Sequence, residues 1–370
     1  MLSAPADPQP LTYAPRTKLG HVPELDGLRG CAALAVFVLH LFITVRDVPH
    51  QTVPAALRPV LQIADLGSYG VDVFFVLSGF LITSLLLLDR GDPFFFRNFY
   101  WKRVLRIQPV YMLHLLAAWF LLPGSHGYVL LALIFLVNFD GLLHIPDVGP
   151  AWTLSIEEQF YLLWPQVVRR VSIANIYRTA AGLIAFSLTA RLGMALLAGH
   201  LATRYTFYRL DGLGLGALLA CQWIDERSAP PGIVRLLGLL HTPPPIWAAA
   251  AYELWSAVYP WRSLPALTLF TTNFLVYRLI RYILLHPRAR STAWLRSAVL
   301  IFFGNISYSL YMFHTVLFSL YDRYVGHPSF HPKPFFLRLL VVSAATLLIC
   351  VLTRRLVELP ALKLRRFVLK

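Results

Sequence analysis

The sequence is poor in charge, in acid and in cysteine. Only 14% of its 370 residues are Asp, Glu, Lys or Arg, against about 25% in an average soluble domain. With 57% of residues apolar, that deficit excludes a soluble globular fold, whose surface needs far more polar cover. Acidic residues number 18 against 33 basic ones, a net charge of +15. On a soluble domain this excess would suggest nucleic acid. Here Lys and Arg sit in short loops between apolar blocks, where membrane topology puts them, so no nucleic-acid partner is expected. The three cysteines, Cys31, Cys221 and Cys350, lie in or beside apolar blocks, and no pair has metal-ligand spacing. A disulfide framework and a zinc site are excluded, and no metal is expected. The opening stretch MLSAPADPQPLTYAPRTKLG has no apolar core. It is therefore not read as a cleaved signal peptide, and the first apolar block is expected to drive insertion.

What is present is a series of apolar blocks about as long as a bilayer is thick. Ten spans are expected, near 28–46, 70–89, 107–123, 151–168, 179–199, 206–224, 233–251, 264–283, 298–320 and 335–354. An eleventh block, 128–139, is short: it is either re-entrant or an extension of the preceding hairpin. The expected fold class is all-α, a polytopic transmembrane helix bundle. A polar, Pro-rich segment 1–24 precedes the membrane domain 25–360, and a basic tail 361–370 follows. Basic clusters recur after the second, fourth, eighth and tenth spans: Arg97 to Arg106, Arg169 to Arg178, Arg281 to Arg296, and Arg354 to Lys370. With ten spans and both termini in the cytoplasm, all four clusters face the cytoplasm of a cell membrane.

A charge at bilayer depth costs about 2.5–3.5 kcal/mol, so each intramembrane polar group needs a reason. Arg29 and His40 are eleven residues apart. At about 100° per residue they share a helix face, roughly 16 Å apart along the axis. Either they anchor the helix, or they form one site. Asp72 opens the second block, where an N-cap role fits as well as a functional one, and Ser78-Gly79 interrupts it, fitting helix packing as well as function. Arg103 and Arg106 are i, i+3 neighbours that either anchor topology or bind phosphates bidentately. The fourth span, PAWTLSIEEQFYLLWP, carries Glu157 and Glu158 in an apolar helix. Glu157, Tyr161 and Trp164 share one face, while Ser155 and Glu158 share another. Arg209 and Asp211 open the sixth span; Ser307, Tyr311 and His314 stripe the ninth.

These segments together resemble the acyltransferase 3 family. LDGLRG with a span ending in His40, GVDVFFVLSGFLI, KRVLRIQPVY, PAWTLSIEEQFYLLWP, YRLDGLGLGALLA and GNISYSLYMFH occur in the family's order, from about residue 21 to 360. The resemblance implies about ten transmembrane helices and O-acylation of surface polysaccharides or related acceptors, with acetyl-CoA as the donor. The family's Arg-x10-His pair falls on Arg29 and His40, its Arg-x-x-Arg on Arg103 and Arg106, and its glutamate motif on Glu157 and Glu158. Some relatives carry an extra periplasmic hydrolase-like domain, which this sequence is expected to lack.

On that reading His40 is the general base that activates an acceptor hydroxyl, since histidine titrates near neutral pH. Glu157 or Glu158 orients it, as the acid does in a triad. Arg103 and Arg106 hold coenzyme A phosphates, and Arg29 the pantetheine end or a phosphate. Asp72, Trp152, Ser155, Tyr161, Arg209, Asp211, Tyr311 and His314 complete the expected binding residues; for His314 a packing role is the competing reading. The expected partners are an acyl-CoA donor, a carbohydrate hydroxyl and the bilayer. Two alternatives stand beside this: a transporter or flippase of glycans or acyl groups, which would also bury charge in its bundle, and an acyltransferase with a non-sugar acceptor.

Overall fold

The computed structural model describes residues 20–46, 53–145, 149–198, 203–259 and 264–368. Among them there is no strand, and the chain is an all-α polytopic bundle. Helix α1 is Pro23–Arg46, α2 Arg58–Asp65, α3 Gly70–Leu88, α4 Phe95–Leu121 and α5 His126–Leu133. Then come α6 Ala151–Arg170, α7 Ile173–Ala198, α8 Leu210–Asp225, α9 Pro231–Leu240 and α10 Pro243–Val258. The last are α11 Pro265–Leu285, α12 Ala298–Tyr324, α13 Pro332–Thr353, α14 Leu359–Lys363 and α15 Arg365–Val368. Among the described residues six helical stretches are long and apolar enough to cross a bilayer; they fall on α1, α3, α4, α7, α12 and α13. Large apolar side chains on their outer faces are exposed, among them Phe120 at 75% and Leu197 at 90%. Lipid satisfies such faces, because each helix closes its own backbone hydrogen bonds.

One expected span is broken in the structure, and the short block left open by the sequence takes a definite form. The expected span 233–251 is broken into α9 and α10 at His241 and Thr242. Pro243, Pro244 and Pro245 cause this: they suit the first turn of a new helix but have no N–H to continue the old one. The short block 128–139 is α5, a left-handed Phe135 at φ 56°, and a 3₁₀ segment Val137–Leu143. An eight-residue helix rises only about 12 Å, too little to cross. Helix α1 begins at Pro23, at the end of the segment 1–24 expected to be polar and Pro-rich, and the tail continues as α14 and α15. Residues 1–19 and 369–370 lie outside the described residues.

Glycine sets the tightest contacts. A Cβ on Gly79 of α3 would stand 2.1 Å from the Leu213 carbonyl oxygen, and one on Gly216 of α8 2.2 Å from that of Val76. Only hydrogen fits there, so α3 and α8 touch backbone to backbone. This contact joins the two apolar clusters of the bundle: Phe75, Val110 and Ile156 belong to one, Val76, Phe80 and Leu215 to the other.

Candidate active site

Helices α1, α3, α4, α6 and α12 enclose a cavity of about 280 Å³. Arg29, Arg103 and Arg106 line it at one end, level with Leu85 near the end of α3. Thr153, Phe74 and Tyr311 line the opposite end, level with the start of α3. Between them lie Ser78, Glu157 and Tyr161 on one wall and Ser307 and Tyr308 on another. The Arg-x-x-Arg pair, Arg29, the first glutamate and three tyrosines, scattered over nearly three hundred residues, therefore share one space.

Glu157 accepts hydrogen bonds from the Ser78 hydroxyl at 2.7 Å and the Tyr161 phenol at 3.0 Å. Two donors fix both carboxylate oxygens and aim the side chain across the cavity. Glu158 points elsewhere: its Oε1 is buried and makes no hydrogen bond. The Arg103 guanidinium lies 5.9 Å from the Tyr161 ring centre and 6.0 Å from that of Phe99, and its Nε is buried without a partner. Arg29 makes a long ion pair with Asp26, 3.8 Å. At the far end the Tyr311 hydroxyl receives a hydrogen bond from Thr153 at 3.0 Å. The Tyr311 ring centre is 6.0 Å from that of His314, one turn further along α12. His40 stands beside His314, with ring centres 4.8 Å apart. The two histidines thus sit just past the tyrosine end of the cavity, not on its lining. His40 Nδ1 lies 2.8 Å from the Val36 carbonyl oxygen.

The remaining expected residues lie outside the cavity lining. Asp72 accepts from Arg209 at 2.9 Å, both buried. Asp211 accepts from Arg191 through both oxygens, at 2.9 and 2.6 Å, in a pair with no exposed surface. These pairs tie α3 and α7 to α8. Trp152 stacks against Arg209, 5.5 Å from ring centre to guanidinium carbon. The Ser155 hydroxyl returns to the Ala151 carbonyl oxygen in its own helix, 3.1 Å away. Sequence reasoning passed over Tyr308 and Thr153, which line the cavity, and Arg191. All three leave a signal: Tyr308 and Thr153 precede Tyr311 and Glu157 by one turn, and Arg191 is a charge in the middle of an apolar block.

The set defined here is a membrane helix bundle with a basic-ended internal cavity that holds a fixed carboxylate. A family model described as "Acyltransferase domain" (Acyl_transf_3) matches residues 22–355, and the chain belongs to the acyltransferase 3 family. Among similar proteins is "Putative O-acetyltransferase SACOL0978" of Staphylococcus aureus (strain COL), 26% identical over 341 residues, 83% of this chain and 52% of the relative. "Acyltransferase MdmB" of Streptomyces mycarofaciens is 28% identical, with 82% of this chain and 81% of the relative covered. "Putative peptidoglycan O-acetyltransferase YrhL" of Bacillus subtilis (strain 168) is 31% identical over 234 residues, 56% of this chain and 34% of the relative. The chain spans about half the length of the Staphylococcus relative. No solved structure matches.

Proposed function

We propose that the protein is a membrane O-acyltransferase that moves an acyl group, acetyl in the simplest case, from acyl-CoA to a hydroxyl of an exported or surface carbohydrate. The observation that carries this is the cavity with Arg29, Arg103 and Arg106 at one end and Glu157, Tyr161 and Tyr311 further in. Coenzyme A is a polyanion at one end and an acyl thioester at the other. Guanidiniums at the mouth match its phosphates, and the narrow, partly apolar interior suits the pantetheine arm. Donor enters from the cytoplasm and the acceptor hydroxyl meets the thioester near His40, beyond Tyr311.

His40 is the base. It takes the hydroxyl proton as the oxygen attacks the thioester carbonyl carbon, and returns that proton to the departing thiolate. The net change is an ester and a free coenzyme A thiol. Glu157, fixed by Ser78 and Tyr161, supplies negative charge in a cavity otherwise rich in cations. The chain is placed in the cell membrane with the α3–α4 loop and both termini in the cytoplasm. Gly91 lies exposed in that loop. A cysteine there should react with an impermeant maleimide only after the cells are opened.

The direct test uses purified protein in nanodiscs, labelled acetyl-CoA and a panel of oligosaccharides. Labelled, alkali-sensitive ester on a sugar is the expected product. Export of unmodified glycan without consumption of acetyl-CoA would instead favour the flippase reading.

A further inference from the structure

Helices α1 and α12 are pressed together by glycine. A Cβ on Gly30 would stand 2.1 Å from the Leu300 carbonyl oxygen, and one on Gly304 2.0 Å from that of Asp26. This seam holds His40 of α1 against His314 of α12, ring centres 4.8 Å apart and planes at 73°. Each ring is tied to its own helix one turn back. His40 Nδ1 is 2.8 Å from the Val36 carbonyl oxygen, and His314 Nδ1 is 2.9 Å from that of Leu310. A carbonyl oxygen only accepts, so Nδ1 carries the hydrogen in each neutral ring. Nε2 is then the basic atom of both. The Nε2 of His314 is buried and makes no hydrogen bond. A buried nitrogen left in that state is costly unless a donor reaches it.

We infer that His314 is a positioning residue for acyl transfer, whose Nε2 accepts a hydrogen bond from the imidazolium that His40 becomes when it removes the acceptor proton. The inference rests on the acyl-transfer reading above. The proton moves from the acceptor oxygen to His40 Nε2, is held there against His314 Nε2, and passes to the sulfur as the carbon–sulfur bond breaks. No proton or electron is left over, and both rings end neutral. Before the reaction His314 has no donor; during it the donor appears. The interaction therefore strengthens as charge develops, which is the condition for lowering a barrier rather than for binding a substrate. The rings of Phe37 and Phe318 around His314, 6.2 and 6.4 Å away, keep water from taking that place.

The competing role is packing in this aromatic setting, and two substitutions separate the roles. His314→Leu fills apolar space but accepts nothing. His314→Gln offers an amide oxygen as acceptor. The assay is release of coenzyme A thiol from acetyl-CoA with chitotetraose as the acceptor probe. His314→Leu should lower kcat by about 10- to 100-fold, the value of one hydrogen bond to a charged group, with the KM for acetyl-CoA unchanged. His314→Gln should recover part of that loss. In a His40→Ala background His314→Leu should cost nothing more. Normal kcat in His314→Leu overturns the inference. So does an equal loss in Leu and Gln, or a full further loss in the His40→Ala background. A wild-type protein that shows no transfer from acetyl-CoA to any acceptor overturns the acyl-transfer reading itself, a separate result.

Discussion

Arg191 and Arg209 lie in the same bundle as Arg103 and Arg106, yet each of the first two ends on a carboxylate and neither of the second two does. Arg191 meets Asp211 and Arg209 meets Asp72. Among the described residues Arg103 and Arg106 make no ion pair, and both face the cavity. Neutralising a buried cation within the protein ties helices together and leaves nothing to offer a ligand. Leaving a cation unpaired at a cavity wall costs stability and keeps charge available for an anion. The paired half, Arg191 with Asp211 and Arg209 with Asp72, is thus built as scaffold. The unpaired half, the cavity wall that carries Arg103 and Arg106 and to which α3 also lends Ser78, is built as site. Substitutions in the two halves should fail in different ways.

The largest effect is expected at His40. General-base catalysis contributes about 10²- to 10⁴-fold, so His40→Ala should lose about that much turnover while still inserting and binding acetyl-CoA. Single-turnover kinetics and donor binding on the same preparation check both halves of the statement. Adding Glu157→Gln should cost much less than the two separate losses combined, because both act in one step. Near-normal transfer by a folded His40→Ala protein would remove the base. Next is the scaffold. Asp211→Leu leaves the Arg191 guanidinium buried without its carboxylate, a penalty of about 3–5 kcal/mol. The expected result is a large fall in thermal stability in nanodiscs. The double replacement Arg191→Leu with Asp211→Leu should restore much of it, because an apolar pair of similar volume replaces an ion pair at little cost. If Asp211→Leu instead left stability intact and abolished transfer, the division into scaffold and site would fail.

The order of the helices was legible in the sequence, because apolar length and basic loops are local signals. Part of the cavity lining was legible too. Arg29, Arg103, Arg106, Glu157, Tyr161 and Tyr311 stood out as polar residues in apolar blocks, and they converge on the cavity. The division of labour among arginines was not legible. Arg209 and Asp72 are 137 positions apart, and nothing local says that one neutralises the other. Nor did spacing show that His40 meets His314 rather than a cavity wall, because that follows from the glycine seam between α1 and α12. The break at Pro243 was visible as three prolines, but hydropathy averaged across it.

The third effect is at the cavity mouth. Arg103→Ala and Arg106→Ala should each weaken acetyl-CoA binding by about 10- to 100-fold, the value of hydrogen bonds to a charged group. Lys should restore only part of it, for want of the bidentate fork. Thermal stability should hold or rise, since neither arginine forms an ion pair to be broken. Equilibrium binding of acetyl-CoA measures the first, a melting curve the second. Normal donor binding in both Ala variants would reduce the pair to a topology anchor. A loss of stability like that of Asp211→Leu would erase the contrast between the halves.

The smallest effect sharpens the comparison most, because it separates two serines that sequence alone presents alike. The Ser78 hydroxyl donates to Glu157 from across a helix interface. The Ser155 hydroxyl donates to Ala151 within its own helix. Both are small groups in membrane helices, where serine usually serves packing. Removing the Ser78 hydroxyl takes one of two fixed donors from the Glu157 carboxylate while Tyr161 keeps the other. The cavity beside it admits a replacement water, so the cost should fall well below that of a dry hydrogen bond to a charge. A loss of about 3- to 10-fold in kcat is expected for Ser78→Ala, with unchanged stability. Ser155→Ala should be silent in both, since a helix-interior serine that bonds its own backbone contributes little. Parallel steady-state assays of the two variants provide the check. Equal effects would mean that Glu157 does not depend on its Ser78 contact, and its place in the transfer step would then rest on Tyr161 alone.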